Sequence, residues 1–125
     1  MTQDLSCALL AESHSDLASG IRSLLLTSCK AVAIVGDERS LLETVGVLKP
    51  GVVVLDLSFI RTDLAGFMRR LRSHSPDAQV IILSGRVEQK VIQTMLDVGA
   101  AAVVIKGRIA SDLLPAVEAV MRGKL

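Results

Sequence analysis

The 125-residue chain has no tryptophan and no tyrosine, and its only aromatic rings are Phe59 and Phe67. So little aromatic surface cannot stack bases or sugar rings, which argues against a single-strand nucleic-acid platform. Cysteine is almost as scarce. Cys7 and Cys29 lie outside any CxxC or Cys/His cluster, in segments that read as a buried strand and a helix end, and both are expected as reduced core thiols. An excess of one charge is missing too, because 14 Lys and Arg stand against 13 Asp and Glu, a formal net charge of +1. That balance points to no particular partner. No apolar run approaches the ~18–20 residues needed to span a bilayer. The opening Met1-Thr2-Gln3-Asp4 lacks the basic and apolar regions of a signal peptide. The expectation is a cytoplasmic protein with no membrane association.

Half of the residues are hydrophobic and only 22% are charged, so residues 1–125 are expected to fold as a single domain. Short apolar runs, Cys7–Ala11, Ala31–Val35, Val52–Leu55, Val80–Leu83 and Ala102–Ile105, recur along it without polar alternation. Such runs mark strands covered on both faces, as in a parallel sheet between helices. Between them the apolar positions move to helical spacing. Leu17, Ile21, Leu24 and Leu25 follow a cap at Ser15, then come Leu41, Val45 and Leu48, and Leu64, Phe67, Met68 and Leu71. Val87, Val91, Met95 and Val98 form a fourth stripe, and Leu113, Val117, Val120 and Met121 a fifth. With Ser111 or Asp112 as its cap, the last helix would hold Pro115 in its first turn, where a missing N–H does least harm. Five βα units of this kind give a doubly wound α/β sandwich.

Open parallel sheets bind ligands beyond the carboxyl ends of their strands. Four polar residues are predicted there: Glu12 after the first strand, Asp56 ending the third, Ser84 ending the fourth and Lys106 ending the fifth. A carboxylate closing so apolar a strand as Val52-Val53-Val54-Leu55-Asp56 needs a cation or donors beside it, and Lys106 is the natural counter-charge. The plain structural reading is an ion pair. Glu12 and Ser84 favour chemistry: two acidic groups invite Mg²⁺, the hydroxyl and ammonium suit a phosphoryl group, and Asp56 would be the nucleophile.

The wording of these segments resembles the receiver domains of bacterial two-component response regulators, from Leu9 to about Gly123. The matching stretches are Leu9-Leu10-Ala11-Glu12-Ser13-His14, Val53-Val54-Leu55-Asp56-Leu57-Ser58, Val80-Ile81-Ile82-Leu83-Ser84-Gly85 and Gly99-Ala100-Ala101-Ala102-Val103-Val104-Ile105-Lys106. They are most similar to the LuxR-type (NarL/FixJ-like) regulators. The resemblance implies a flavodoxin-like, CheY-like sheet of order 2-1-3-4-5 with five helices. It further implies Asp56 as phosphoacceptor from a sensor histidine kinase, with Ser84 and Lys106 on the phosphoryl group and Arg86 tuning dephosphorylation. Mg²⁺ would be held by Glu12, Asp56 and the backbone carbonyl of Ser58. A homodimer is expected, and DNA would be contacted only through a C-terminal helix-turn-helix domain not present here. Such a chain is a signalling device, not an enzyme beyond its own phosphorylation and dephosphorylation.

The sequence also departs from that family. Ser13 stands where a second acidic residue is usual, so metal affinity should fall, with a water reaching the cation from Ser13. Val103 replaces a switching aromatic residue. These departures support an alternative, a phosphorylation-independent pseudo-receiver acting as a protein–protein interaction module. His14 and His74 read as exposed helix-flanking residues. Arg61, Arg69, Arg70 and Arg72 read as a solvated helix face, and Met68, Met95 and Met121 as core. No glycine-rich or GxxxxGK[ST] phosphate loop occurs.

Overall fold

The computed structural model describes residues 7–122. Five parallel strands, β1 (Cys7–Ala11), β2 (Ala31–Val35), β3 (Val52–Asp56), β4 (Gln79–Ser84) and β5 (Ala102–Ile105), form one sheet of order β2-β1-β3-β4-β5. The helices are α1 (Ser15–Leu25), α2 (Glu38–Leu48), α3 (Leu64–His74), α4 (Gln89–Asp97) and α5 (Ile109–Met121). This is the flavodoxin-like, CheY-like arrangement.

Alternate residues of each central strand feed opposite cores. Leu9, Val53, Leu55, Val80 and Ile82 pack with Leu41 and Val45 of α2, Phe67, Met68 and Leu71 of α3, and Met95 of α4. Leu10, Val52, Val54, Ile81 and Leu83 pack with Ala18, Ile21 and Leu25 of α1 and Leu113, Val117 and Val120 of α5. Burial on both faces explains why these strands are continuously apolar. Cys29 is buried in the α1/α5 core, which pushes its thiol pKa up, whereas Cys7 at the start of β1 is only half-buried. No helix among the described residues is long and apolar enough to cross a membrane.

Three local expectations are corrected. The N-cap of α1 is His14, not Ser15, because the His14 backbone N–H is already bonded to Glu12 and its carbonyl accepts from Ala18. Val87 stays outside α4 and is 65% exposed; the helix begins after Glu88, which forms an ion pair with Arg86 in the preceding loop. Pro115 lies inside α5, since a short 3₁₀ turn (Lys106–Arg108) leads straight into a helix that starts at Ile109. Starting there packs Ile109 against the α1/α5 core. Pro115 and Ser111 are exposed, so water can take the Ser111 carbonyl that the proline leaves without its helical donor.

Water is a partial remedy, and Pro115→Ala should restore that hydrogen bond. The gain is partly offset by the greater freedom of the unfolded chain. The variant is expected to raise the unfolding free energy by roughly 1–2 kcal/mol in urea titrations; a loss of stability would contradict this account of α5.

Candidate functional site

The parallel register decides which side chains meet. Ala11 pairs with Leu55 and Asp56 with Leu83, so Glu12 emerges level with Asp56, and Ser84 one residue further along. Ser84 pairs with Ile105, which brings Lys106 out beside them. Glu12, Asp56 and Ser84 are all buried polar residues in an otherwise apolar interior.

Asp56 is 2% exposed, yet its carboxylate is well supplied with donors. The Ser58 backbone N–H and the Ser58 hydroxyl each donate to Oδ1 at 2.9 Å, and Lys106 Nζ donates to Oδ2 at 2.5 Å. Burial alone would push the Asp56 pKa up. The hydrogen bonds from Lys106 and Ser58 outweigh it and hold the carboxyl below its ordinary value, so Asp56 is ionised at neutral pH. The Lys106 side chain remains 28% exposed, so the pair is reached by solvent from one side. A cavity of about 150 Å³ is lined by Ser58 together with Ser13, Gly36, Asp37, Glu38, Phe59 and Arg61.

Glu12 is the less satisfied carboxylate. Its Oε2 accepts from the His14 backbone N–H and faces the His14 ring Nδ1, both at 3.1 Å, while Oε1 is buried with no hydrogen-bond partner. Two ionised carboxylates can meet only across a proton or a cation, because neither donates. The orphaned oxygen beside a second carboxylate therefore fits a hard divalent cation, which takes oxygen ligands and keeps several waters. Among the described residues no group of three or more His, Cys, Asp or Glu is placed to hold a metal ion. The protein donors here are two carboxylates and any nearby carbonyl, and Ser13 is exposed at the rim.

Ser84 ends β4 at the same edge. Its hydroxyl donates to the Arg86 carbonyl and accepts the Arg86 N–H, each at 3.0 Å, and Arg86 itself forms a two-bond pair with Glu88. Two groups escaped the sequence reading. The Ser58 side chain and N–H, considered only for the carbonyl, were signalled by the Asp-x-Ser spacing of a local turn. His14, set aside as a flanking residue, stands two positions after Glu12, close enough to chelate it. The arginine cluster is also more than a solvated face: Arg70 bonds Glu38 and Thr62, and Arg72 donates to the Gly99 carbonyl. A Cβ on Gly99, whose φ is +113°, would lie 2.8 Å from that guanidinium.

Residues 8–118 match the family described as the response regulator receiver domain. The response regulator protein VraR of Staphylococcus aureus is 27% identical over 119 residues, covering 93% of this chain and 56% of VraR. The chain thus spans about half the length of the curated relatives it matches. Among solved structures, the isolated REC domain of RcsB from Salmonella enterica serovar Typhimurium, in the presence of phosphomimetic BeF3-, superposes with a TM-score of 0.84. It is 23% identical, covering 95% of this chain and 90% of that one. A response regulator from Burkholderia pseudomallei with a phosphorylated aspartic acid, calcium ion and citrate has a TM-score of 0.78. Its identity is 18% over 94% of this chain and 69% of that one. At these identities the structures show a shared fold.

The lowered Asp56 pKa has a signed consequence. Its contribution to stability is present above the ordinary carboxyl value of 3.8 and is lost as the pH falls through the lower native value. Asp37, Glu38, Glu88 and Asp112 are also held low and share that acid limb. In urea titrations at descending pH, the unmutated chain should therefore lose stability more steeply than Asp56→Asn. Parallel acid limbs would mean that the native fold does not hold Asp56 as a carboxylate.

Proposed function

The chain belongs to the response regulator receiver domain family, and on that premise we propose that Asp56 is the side chain on which it accepts a phosphoryl group. Receiver domains related to LuxR-family transcription regulators signal through phosphorylation, and this is a signalling domain, not a classical enzyme. The observation that carries the reading is the Asp56 carboxylate itself, buried, ionised and bonded to Lys106 beside the unsatisfied Glu12 Oε1.

The donor in this reading is the phosphohistidine of a sensor histidine kinase in the cytoplasm. A carboxylate oxygen of Asp56 attacks phosphorus, a P–O bond forms, and the bond to the donor nitrogen breaks with its electron pair leaving on the donor. Lys106 Nζ neutralises charge on the incoming oxygens. The Ser84 hydroxyl spends its one hydrogen on the Arg86 carbonyl, so it must redirect that hydrogen to donate to the phosphoryl group, while its oxygen can go on accepting the Arg86 N–H. Arg86 then tunes the rate of dephosphorylation from the β4–α4 loop. Glu12, Asp56 and the Ser58 carbonyl would hold Mg²⁺, with a water toward Ser13, and the ion would supply charge neutralisation on the phosphoryl oxygens. Any catalysis is of the chain's own phosphorylation and dephosphorylation.

Residues 1–125 form one receiver unit in this proposal, relaying phosphorylation as a conformational or homodimerisation signal in transcriptional control. DNA is contacted only through a C-terminal domain. Ser13 supports the competing reading, a phosphorylation-independent interaction module, because it removes a carboxylate from the cation site.

Incubation with acetyl phosphate and Mg²⁺ followed by intact-protein mass measurement separates the two. The expected result is an adduct of roughly 80 Da, one phosphoryl group, on the unmutated chain and none on Asp56→Asn. No adduct on either chain would favour the interaction module.

A further inference from the structure

His14 gives Glu12 its orientation. The Glu12 side chain is fully buried at the end of β1, and both groups on its Oε2 come from one residue: the His14 backbone N–H and ring Nδ1, each at 3.1 Å. An ionised carboxylate only accepts, so Nδ1 carries the hydrogen in this contact. Two donors from the same residue fix the plane of the carboxylate. Oε1 is then left in place with nothing to bond, a costly condition for a buried oxygen unless a ligand relieves it.

Capping does not require this contact. His14 is the N-cap of α1, yet its side chain makes no capping hydrogen bond to the helix, and the ring is 73% exposed. The ring's one hydrogen-bond partner among the described residues is Glu12, and apolar burial does not explain its placement.

We propose that His14 is a positioning residue for the divalent-cation site, holding Glu12 by Oε2 so that Oε1 is presented to the metal. The inference rests on the reading of Glu12 and Asp56 as cation ligands. It matters more here because Ser13 supplies no second carboxylate from the same loop, leaving the orientation of Glu12 as the main determinant of affinity. Outer-shell partners of metal ligands commonly change affinity by about 10–100-fold when removed. The effect expected at His14 is smaller, because the backbone N–H remains.

The test is the affinity of the unphosphorylated chain for Mg²⁺ alone, followed by amide NMR titration at fixed neutral pH. His14→Ala should weaken binding about threefold to tenfold, and His14→Asn, whose side-chain amide can place a donor near the Nδ1 position, should recover it to within about twofold. His14→Leu keeps bulk without a donor and should behave like the alanine variant; it carries the test if the alanine variant folds poorly. Glu12→Gln should weaken binding most. A structural role alone would lower the melting temperature of the histidine variants and leave the Mg²⁺ affinity of the folded chain unchanged. Unchanged affinity in His14→Ala and His14→Leu, with Glu12→Gln impaired, would overturn the positioning role and spare the cation site. Failure of His14→Asn to recover binding would overturn the hydrogen-bond mechanism. Should Glu12→Gln bind as well as the unmutated chain, the cation-site reading itself is wrong, and the role of His14 falls with it.

Discussion

Everything at the sheet edge depends on keeping one carboxylate charged at the end of a strand that has no other polar residue. All five residues of β3 are buried, and Asp56 is the last of them. An ionised carboxyl there is tolerable only if its oxygens are supplied with donors, and the fold supplies them from two sources. The chain turns immediately after β3, so that Ser58 can reach back to Oδ1, and β5 ends in a lysine that reaches Oδ2. Removing either source would leave much of the desolvation cost of Asp56 without compensation. The tight turn and the position of Lys106 therefore keep the buried carboxylate charged.

That arrangement requires a rigid sheet, and the packing provides it. Helices α2, α3 and α4 close one face and α1 and α5 the other, so the three central strands are held from both sides. A one-residue slip in a parallel pair would exchange the residues facing the two cores and move Glu12 out of level with Asp56. The same burial that fixes the register thus fixes the distances among the four polar residues. Beyond the strand ends the polar groups are held by local bonds, as Ser84 is by the backbone of Arg86.

The strands were legible in the sequence because burial on both faces leaves a continuous apolar run, and the four edge residues were legible because each interrupts or follows such a run. Helix ends were less legible. Ser15 and the Ser111–Asp112 pair satisfy local capping rules, but tertiary contacts prevailed: Glu12 captures the start of α1, and Ile109 is drawn into the core at the start of α5. Side-chain direction was beyond reach. Sequence places Ser84 at the edge but cannot show that its hydroxyl is turned to Arg86, nor that an exposed histidine is bonded to a buried glutamate. Both depend on loop geometry over two residues, which apolar periodicity does not encode.

The charge balance of the pocket gives Ser13 a meaning on the proposed reading beyond the absence of a third carboxylate. In the resting pocket Glu12 and Asp56 oppose Lys106, leaving one net negative charge where a third carboxylate would have left two. On the proposed reading, metal affinity at rest would be correspondingly weaker, since cation sites are tuned by the number of charged ligands. A phosphoryl group on Asp56 brings its charge close to minus two. On the proposed reading, a divalent cation and Lys106 then bring the pocket near neutrality, whereas a third carboxylate would leave it negative. Interior charge is tolerated best when it is balanced, so Ser13 would favour the phosphorylated, metal-loaded pocket relative to the resting metal-loaded one. On that reading Ser13 would shift cation binding toward the moment of phosphorylation and make the orientation of Glu12 the feature that must already be in place beforehand.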